Sequence, residues 1–439
     1  MKRTLSLILA LGCAAVRGFA ATYCVATNGN DGAAGTPEEP LLTIQAAVDK
    51  TVNGDTVQIT AGAYPLAAAV SVTKAITVRG EADDRRAVVV DGGGAVRCFV
   101  FGNDNAWLHD LTVTNGYTAG STDGGGIYLS GGGNVSNCVA TACYAGNRGG
   151  GIACSWRNTP ARIADCEIYN NTAGGEGGGG VLLNCCGILT NCLVYGNSAP
   201  SSGGVCVWRN GTTISGKVIG CVISNNTATT ATGGGLGDFC EIVADTLFVS
   251  NTAATYGGAV SFDRSTHTNA LVNCTFLGNR ANHSGGAVDV SFGGLVCSNG
   301  VFEGNEAVQY GGCLRVGDAG ASCVLDGCAL SNNAALLYDG GCLYGYNYDV
   351  RNSVFRNNRG RNGGAVNLPW ITTGASRFEG CSFSGNTGSG GGGAIYRTGS
   401  ASNGFTVKGC SFGGNAATNG SGGAVYSSYS TIEECAFTN

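Results

Sequence analysis

Proline is almost missing from this 439-residue sequence, with only 6, and so is charge: 24 Lys and Arg against 29 Asp and Glu, 12% of the chain. There is one methionine and there are three histidines. So little proline, with no Gly-X-Y period, excludes collagen. A 43% hydrophobic content with so few charges excludes a disordered chain. No run beyond the first residues is apolar enough to cross a bilayer as a helix. The Lys and Arg read as scattered singly, without the basic face that phosphate neutralisation needs, so nucleic acid is not an expected partner.

What is abundant is glycine: 77 residues, where average usage of roughly 7% gives about 31. Residues 1–20 are set aside first. Lys2 and Arg3 precede an apolar run from Leu5 to Val16, followed by Gly18-Phe19-Ala20, which reads as a signal peptide cleaved after Ala20. Removing it leaves 21 basic and 29 acidic residues, a net charge of −8.

The glycines are periodic. Gly-Gly followed by a small and then an aliphatic residue recurs twelve times, the second glycines being Gly125, Gly150, Gly179, Gly204, Gly234, Gly258, Gly286, Gly312, Gly341, Gly364, Gly393 and Gly423. The spacing is 23 to 30 residues, with a mean of 27. Between the copies runs Cys-x-apolar-x-x-Asn, as in Cys274-Thr-Phe276-Leu-Gly-Asn279. Cys138, Cys166, Cys192, Cys221, Cys274, Cys328, Cys381, Cys410 and Cys435 hold the cysteine position, with Thr246, Gly300 and Ser353 elsewhere. Asn171, Asn197, Asn226, Asn251, Asn279, Asn305, Asn333, Asn358, Asn386 and Asn415 hold the asparagine position, and the first copy has Cys143.

Each repeat holds two short alternating runs and no apolar pattern at helical spacing, so strands joined by turns are expected. A unit this small cannot bury its own apolar face and must stack on its neighbours. Twelve coils at about 4.8 Å make a rod of roughly 55 Å. In each coil Gly-Gly is expected to turn the chain through positive φ, as at Gly258 and Gly286. The cysteine and the apolar residue two places on should share an inward face. The asparagines should take left-handed geometry and bond nearby backbone as a turn ladder. The fold expected is all-β, a right-handed parallel β-helix with a short amphipathic capping helix at 43–50. Residues 21–116 read as cap and first irregular coils, with strand runs at 75–79, 87–91, 98–101 and 107–114, and 117–439 as the repeats.

The alternating Gly-Gly-Ala-Ile and Phe-x-x-Asn elements, over about 124–439, resemble the passenger repeats of chlamydial polymorphic outer membrane proteins. The N-terminal run of Gly29-Asn30-Asp31, Thr43-Ile-Gln-Ala-Ala-Val48 and Gly54-Asp-Thr-Val57 resembles the cap of secreted pectate-lyase-like β-helices. The first resemblance implies a β-helix on the cell surface, outer-membrane-associated if anchored. The polymorphic proteins carry a C-terminal barrel that has no counterpart here, and the sequence stops at Phe437-Thr438-Asn439 before completing its last Phe-x-x-Asn, so it reads as truncated.

Export normally pairs cysteines. Stacked neighbours would nevertheless hold their β-carbons about 4.8 Å apart, beyond the favoured spacing of about 3.8 Å. Buried free thiols behaving as small hydrophobes are therefore preferred. A metal site is not expected: neither Cys185-Cys186 nor the cysteine column has a Cys-x-x-Cys pattern.

For chemistry, the third residue after each Gly-Gly should face outward: Tyr128, Ala153, Leu182, Val207, Gly237, Ser261, Asp289, Arg315, Tyr344, Asn367, Tyr396 and Tyr426. Asp289 and Arg315 should be neighbours on adjacent coils, with Asp263 on the coil before and His267 and His283 in nearby turns. A calcium-assisted polysaccharide lyase needs two or three carboxylates on a hard cation and an Arg or Lys as base, and Asp263, Asp289 and Arg315 form the one such set. The plainer reading is a surface ion pair worth under about 1 kcal/mol. Trp156, Trp208, Tyr344, Tyr396 and Tyr426 could stack on sugars or simply cover the solenoid. His109 beside Asp110 reads as a surface pair, and the Gly177–Gly180 run as a turn. The functional expectation is an exported display or adhesin-like module facing a surface glycan or protein without a cofactor. The alternative is a carbohydrate-active β-helix, with calcium only if it is a lyase.

Overall fold

The computed structural model describes residues 20–155, 160–184, 186–208, 216–262, 267–318, 320–369, 375–399 and 404–438. The signal-peptide reading therefore lies outside the described residues up to 19, as do Asp263 and Trp156. The chain winds as a parallel β-helix in which every coil adds a strand to the sheets below it.

One coil shows the plan. Strand Thr275–Leu277 leads into Arg280–Ala281, then Val288–Val290, then Gly294–Ser298, before Val301–Glu303 returns to lie parallel on Thr275–Leu277. Among the described residues repetition gives four parallel sheets, called here first to fourth. The first has 16 strands, from Thr22–Val25 to Thr431–Glu433; the second has 15 and contains the Cys-x-apolar strands. The third has 12, beginning at Tyr117–Thr118, and the fourth has 14 and contains the strands after Gly-Gly. Two alternating runs per repeat are legible in the sequence. The two-residue strands of the third sheet are too short to alternate, and register alone identifies them.

Strict parallel register stacks like on like. In the second sheet Phe248, Phe276 and Phe302 stack with centroids 5.0 and 4.6 Å apart, and Phe355, Phe383, Phe412 and Phe437 continue at 4.7, 4.9 and 4.8 Å. Each such pair adds about 0.5–1.5 kcal/mol beyond its area burial. The main apolar core runs continuously from Val25 to Phe412. At its N-terminal end the helix Ile44–Lys50, capped by Thr43 Oγ1 accepting from the Ala46 amide, buries Ile44, Ala47 and Val48 against the first turns. After strands at 22–25, 56–59, 62–65 and 70–72, the expected runs at 75–79, 87–91 and 98–101 are strands at 77–80, 88–91 and 99–101, while the run expected at 107–114 divides into 107–109 and 112–114 around the left-handed Asp110 (φ 58°).

The asparagine column is a continuous buried ladder. Each Oδ1 accepts from the backbone amide and the Nδ2 of the asparagine one coil earlier, and each Nδ2 also donates to a backbone carbonyl of the preceding coil. Asn305 shows it: its Oδ1 takes Asn279 N and Nδ2 at 3.0 Å, while its Nδ2 gives to Asn333 Oδ1 and Phe276 O at 3.0 Å. Asn279, Asn305 and Asn386 are fully buried. Left-handed geometry belongs to the residue before each of them, not to the ladder asparagine: Asn170 (φ 54°), Ser250 (φ 53°), Gly278 (φ 58°) and Gly304 (φ 64°). The turn residue needs positive φ, and the next must aim its amide inward.

The cysteine column is also more than hydrophobic filling. Cys138, Cys166 and Cys192 donate through Sγ to the carbonyl two residues before, at 3.2, 3.1 and 3.1 Å. Cys221, Cys274, Cys381 and Cys410 do so at 3.4 Å, Cys328 at 3.6 Å and Cys435 at 3.2 Å. Thr246 and Ser353 make the same bond through Oγ, at 2.8 and 2.7 Å, and accept the amides of Cys221 and Cys328. A small side chain that both donates and accepts is what the position requires, which explains why Cys, Thr and Ser interchange. Gly300 departs because the Cys297 thiol occupies the space its Cβ would take. The nine cysteines of this column are free thiols.

The two glycines of a pair do different work. Gly257 and Gly285, the first of their pairs, have φ of 63° and 67°. Gly258 and Gly286, the second, do not take positive φ; a Cβ on either would collide with the backbone of the next coil. At 202–204 the left-handed residue is Ser202 (φ 48°), so that pair is displaced by one position. Leu182 consequently pairs with Cys206, and Val207, expected to face outward, lies in the core.

Candidate functional site

The fourth sheet carries the row from which chemistry is expected, in the register Ser261, Asp289, Arg315, Tyr344, Asn367, Tyr396, Tyr426. These side chains point away from the core, as the alternation requires, but the row is not an open face. Ala153, Leu182 and Cys206 form a second small apolar cluster there, packed by Tyr128 and Trp208. The left-handed glycine turns fold over the row, so that a Cβ on Gly257 would touch that of Ser261.

At its centre Asp289 is fully buried and bonded at both oxygens. Arg315 Nη1 donates to Oδ1 at 2.6 Å, and Ser291 Oγ to Oδ2 at 2.7 Å. The Arg315 side chain is 18% exposed and stacks over the Tyr256 ring at 4.4 Å. The expectation of a surface ion pair is corrected in its location: the carboxylate is fully buried, so solvent does not screen the pair, while the desolvation of the carboxylate is set against the gain. His283 lies between the Tyr256 and Tyr310 rings, at 4.7 and 6.4 Å, and shares a 2.8 Å hydrogen bond with Ser284 Oγ. Burial, and then the Arg315 charge, holds its imidazole below the usual pKa. Ser261 Oγ is buried beside Asp289 and has no hydrogen-bond partner among the described residues. Among the described residues no group of three or more His, Cys, Asp or Glu side chains is arranged to hold a metal ion.

The aromatic candidates fall in different settings. Trp208 roofs the small apolar cluster and takes the Arg148 guanidinium on its ring at 4.9 Å. Tyr344 lies 4.5 Å from Tyr310, and burial raises its hydroxyl pKa to about 12. Tyr396 and Tyr426 stack at 4.9 Å with 9° between planes, and Tyr426 is 40% exposed. His109 stacks on Trp107 at 4.9 Å and is half-buried, so it is part of the first sheet's packing.

Two features escaped the sequence reading. Asp238 is buried and left-handed (φ 75°), and its Oδ2 accepts from Ser202 Oγ and Cys206 Sγ at 3.3 Å. Only the displaced register at Ser202 brings these three together. The basic residues are also not all single: Arg351, Arg356, Arg359 and Arg361 occupy one coil. That cluster was legible by simple counting.

Residues 380–396 match the Chlamydia polymorphic membrane protein repeat. No curated protein matches the sequence. Solved structures with a similar chain path include XylC in complex with xylose, 9% identical over 94% of this chain and 86% of that one, with a TM-score of 0.41. Others are a PL6 alginate lyase in complex with a trisaccharide, 11% identical over 90% and 81%, with a TM-score of 0.38, and pectate lyase Pel9A, 12% identical over 95% and 80%, with a TM-score of 0.27.

Proposed function

We propose that the chain is an exported β-helix, displayed at the cell surface or outside the cell, that serves as an adhesin-like or structural display module. The observation that carries this reading is the polymorphic membrane protein repeat at 380–396, whose Gly-Asn and Gly-Gly-Ala-Ile elements recur along the rod. The outer row is consistent with it: Asp289, Arg315 and Ser291 satisfy one another. In the producing organism, antibody labelling of intact cells should reach the protein, or the medium should contain it. Recovery only after lysis, in the cytoplasmic fraction, overturns the reading.

A second reading, glycan binding along the same row, is favoured by the Tyr396–Tyr426 stack, whose flat and partly exposed rings suit the apolar face of a sugar. In its lyase form this reading needs calcium held by Asp263 and Asp289 with Arg315 as base. The cation would then have to compete with the guanidinium that already bonds Asp289.

A further inference from the structure

Arginines along the rod are generally neutralised by their own neighbourhood. In the third sheet Arg280 stacks in register with Glu306 and forms an ion pair with it, and in the first sheet Arg351 bonds Asp349 at 2.6 Å. The coil at 354–361 breaks this habit. Arg356, in the second sheet, lies between Ser331 and Ser384; Arg359, in the third, lies between Ala334 and Thr387. Arg361 follows in the next turn, its amide bonded to Tyr338 O and its carbonyl to the Gly390 amide. All three arginines are exposed. Among the described residues neither Arg356 nor Arg359 forms an ion pair. The acid that Arg361 senses, Asp339, has Oδ1 occupied by the Asn362 amide and Nδ2 at 3.1 and 3.0 Å.

The flanking coils leave room around these guanidiniums. A trough of roughly 440 Å³ is lined by Leu336, Leu337, Arg359, Arg361, Ser389 and Gly390, and another of roughly 450 Å³ by Ser331, Asn332, Arg356 and Asn357, with the Glu303 carboxylate at its far side two coils from Arg356. Leu337 is 60% exposed and Tyr338 39%, the latter stacked on Tyr310 at 5.2 Å. Three exposed guanidiniums, outnumbering the Glu303 and Asp339 carboxylates near them, therefore follow one another around a single coil, in shallow troughs floored by small residues and edged by apolar ones. We propose that this coil binds an anionic polysaccharide laid across the rod, its carboxylate or sulfate groups on Arg356, Arg359 and Arg361 and an apolar sugar face against Leu337 and Tyr338. Charge complementarity selects the polyanion. The succession of donors around the coil selects an extended chain over a single small anion.

The proposal adds a partner class to the display reading and rests on it for access to the ligand. The test uses the whole chain and heparin as the probe, by titration calorimetry at low salt, with dextran, poly-L-glutamate and anionic phospholipid vesicles as comparisons. Heparin should bind, and binding should weaken as salt rises. The Arg356→Ser, Arg359→Thr, Arg361→Ser variant should lose roughly tenfold or more in affinity, because it removes three counterion-releasing contacts. Serine and threonine already occupy the first two of those rows on adjacent coils, at Ser331, Ser384 and Thr387, so the fold should tolerate the change. An unchanged circular dichroism spectrum confirms that it does. Equal affinity of variant and wild type, binding no stronger than to dextran, or stronger binding to poly-L-glutamate or to vesicles overturns the proposal. Cell-surface labelling is read separately, so loss of heparin binding with display intact counts against the ligand alone.

Discussion

The asparagine ladder inside the rod and the outer row of the fourth sheet repeat with the same period but differ in kind. From Asn171 to Asn415 the ladder is one residue type on ten successive coils, each amide bonded to the next. The outer row runs through alanine, leucine, cysteine, glycine, serine, aspartate, arginine and tyrosine. The difference is a matter of obligation. A buried amide can be satisfied only by a partner on the adjacent coil, so a change on one coil orphans atoms on two. An outer residue answers to its own surroundings and is free to vary.

The largest expected effect concerns the buried thiols. Burial raises the Cys274 thiol to about 11 and the Cys143 and Cys154 thiols to about 12, from an ordinary 9.0. A raised folded-state pKa leaves stability intact below pH 9 and removes it as pH climbs toward 11–12, because only the unfolded chain can release the protons. These three thiols alone should cost about 4 kcal/mol per pH unit in that window. Urea midpoints at pH 8 and pH 10 check this, and equal midpoints would mean that the thiols are not free and neutral in the folded chain.

Next comes Asn305→Ala. It removes four hydrogen bonds and leaves the Asn279 amide groups, Asn333 Oδ1 and Phe276 O short of a partner. A loss of about 4 kcal/mol is expected in equilibrium unfolding. A loss under about 1 kcal/mol would erase the distinction between ladder and outer row.

The smallest effect on stability belongs to the outer row. Tyr426→Ser, at a 40% exposed ring stacked on Tyr396, should cost about 0.5–1.5 kcal/mol. On a glycan array the same variant decides the second functional reading. Retained binding removes the Tyr396–Tyr426 stack from it, and selective loss supports it.

Much of the fold was legible because the ladder's obligation is written in the sequence. A position that must be asparagine on every coil, three residues after an inward apolar residue, marks the stacking period and the inward face together. The functional row was less legible for the opposite reason. Its register depends on which residue of each glycine turn is left-handed, and at Ser202 that residue is not a glycine, which moved the expected outward residue from Cys206 to Val207. The adjacency of Asp289 and Arg315 followed from counting. The burial of Asp289 did not, since the roof over it comes from turns whose side chains show no period.

The sequence by itself determined that this chain is a stack of coils, the period at which the coils turn, and the inward face of the asparagine and cysteine columns. Backbone geometry at glycine and the satisfaction of buried polar groups are local or nearest-neighbour requirements, and a repeat displays them openly. Only the tertiary structure decided that the outer row is roofed and that the thiols act as hydrogen-bond donors. It also decided that Arg356 and Arg359 form no ion pair among the described residues. Each of these depends on what the coils above and below place beside a residue, and in sequence those neighbours lie 23 to 30 positions away.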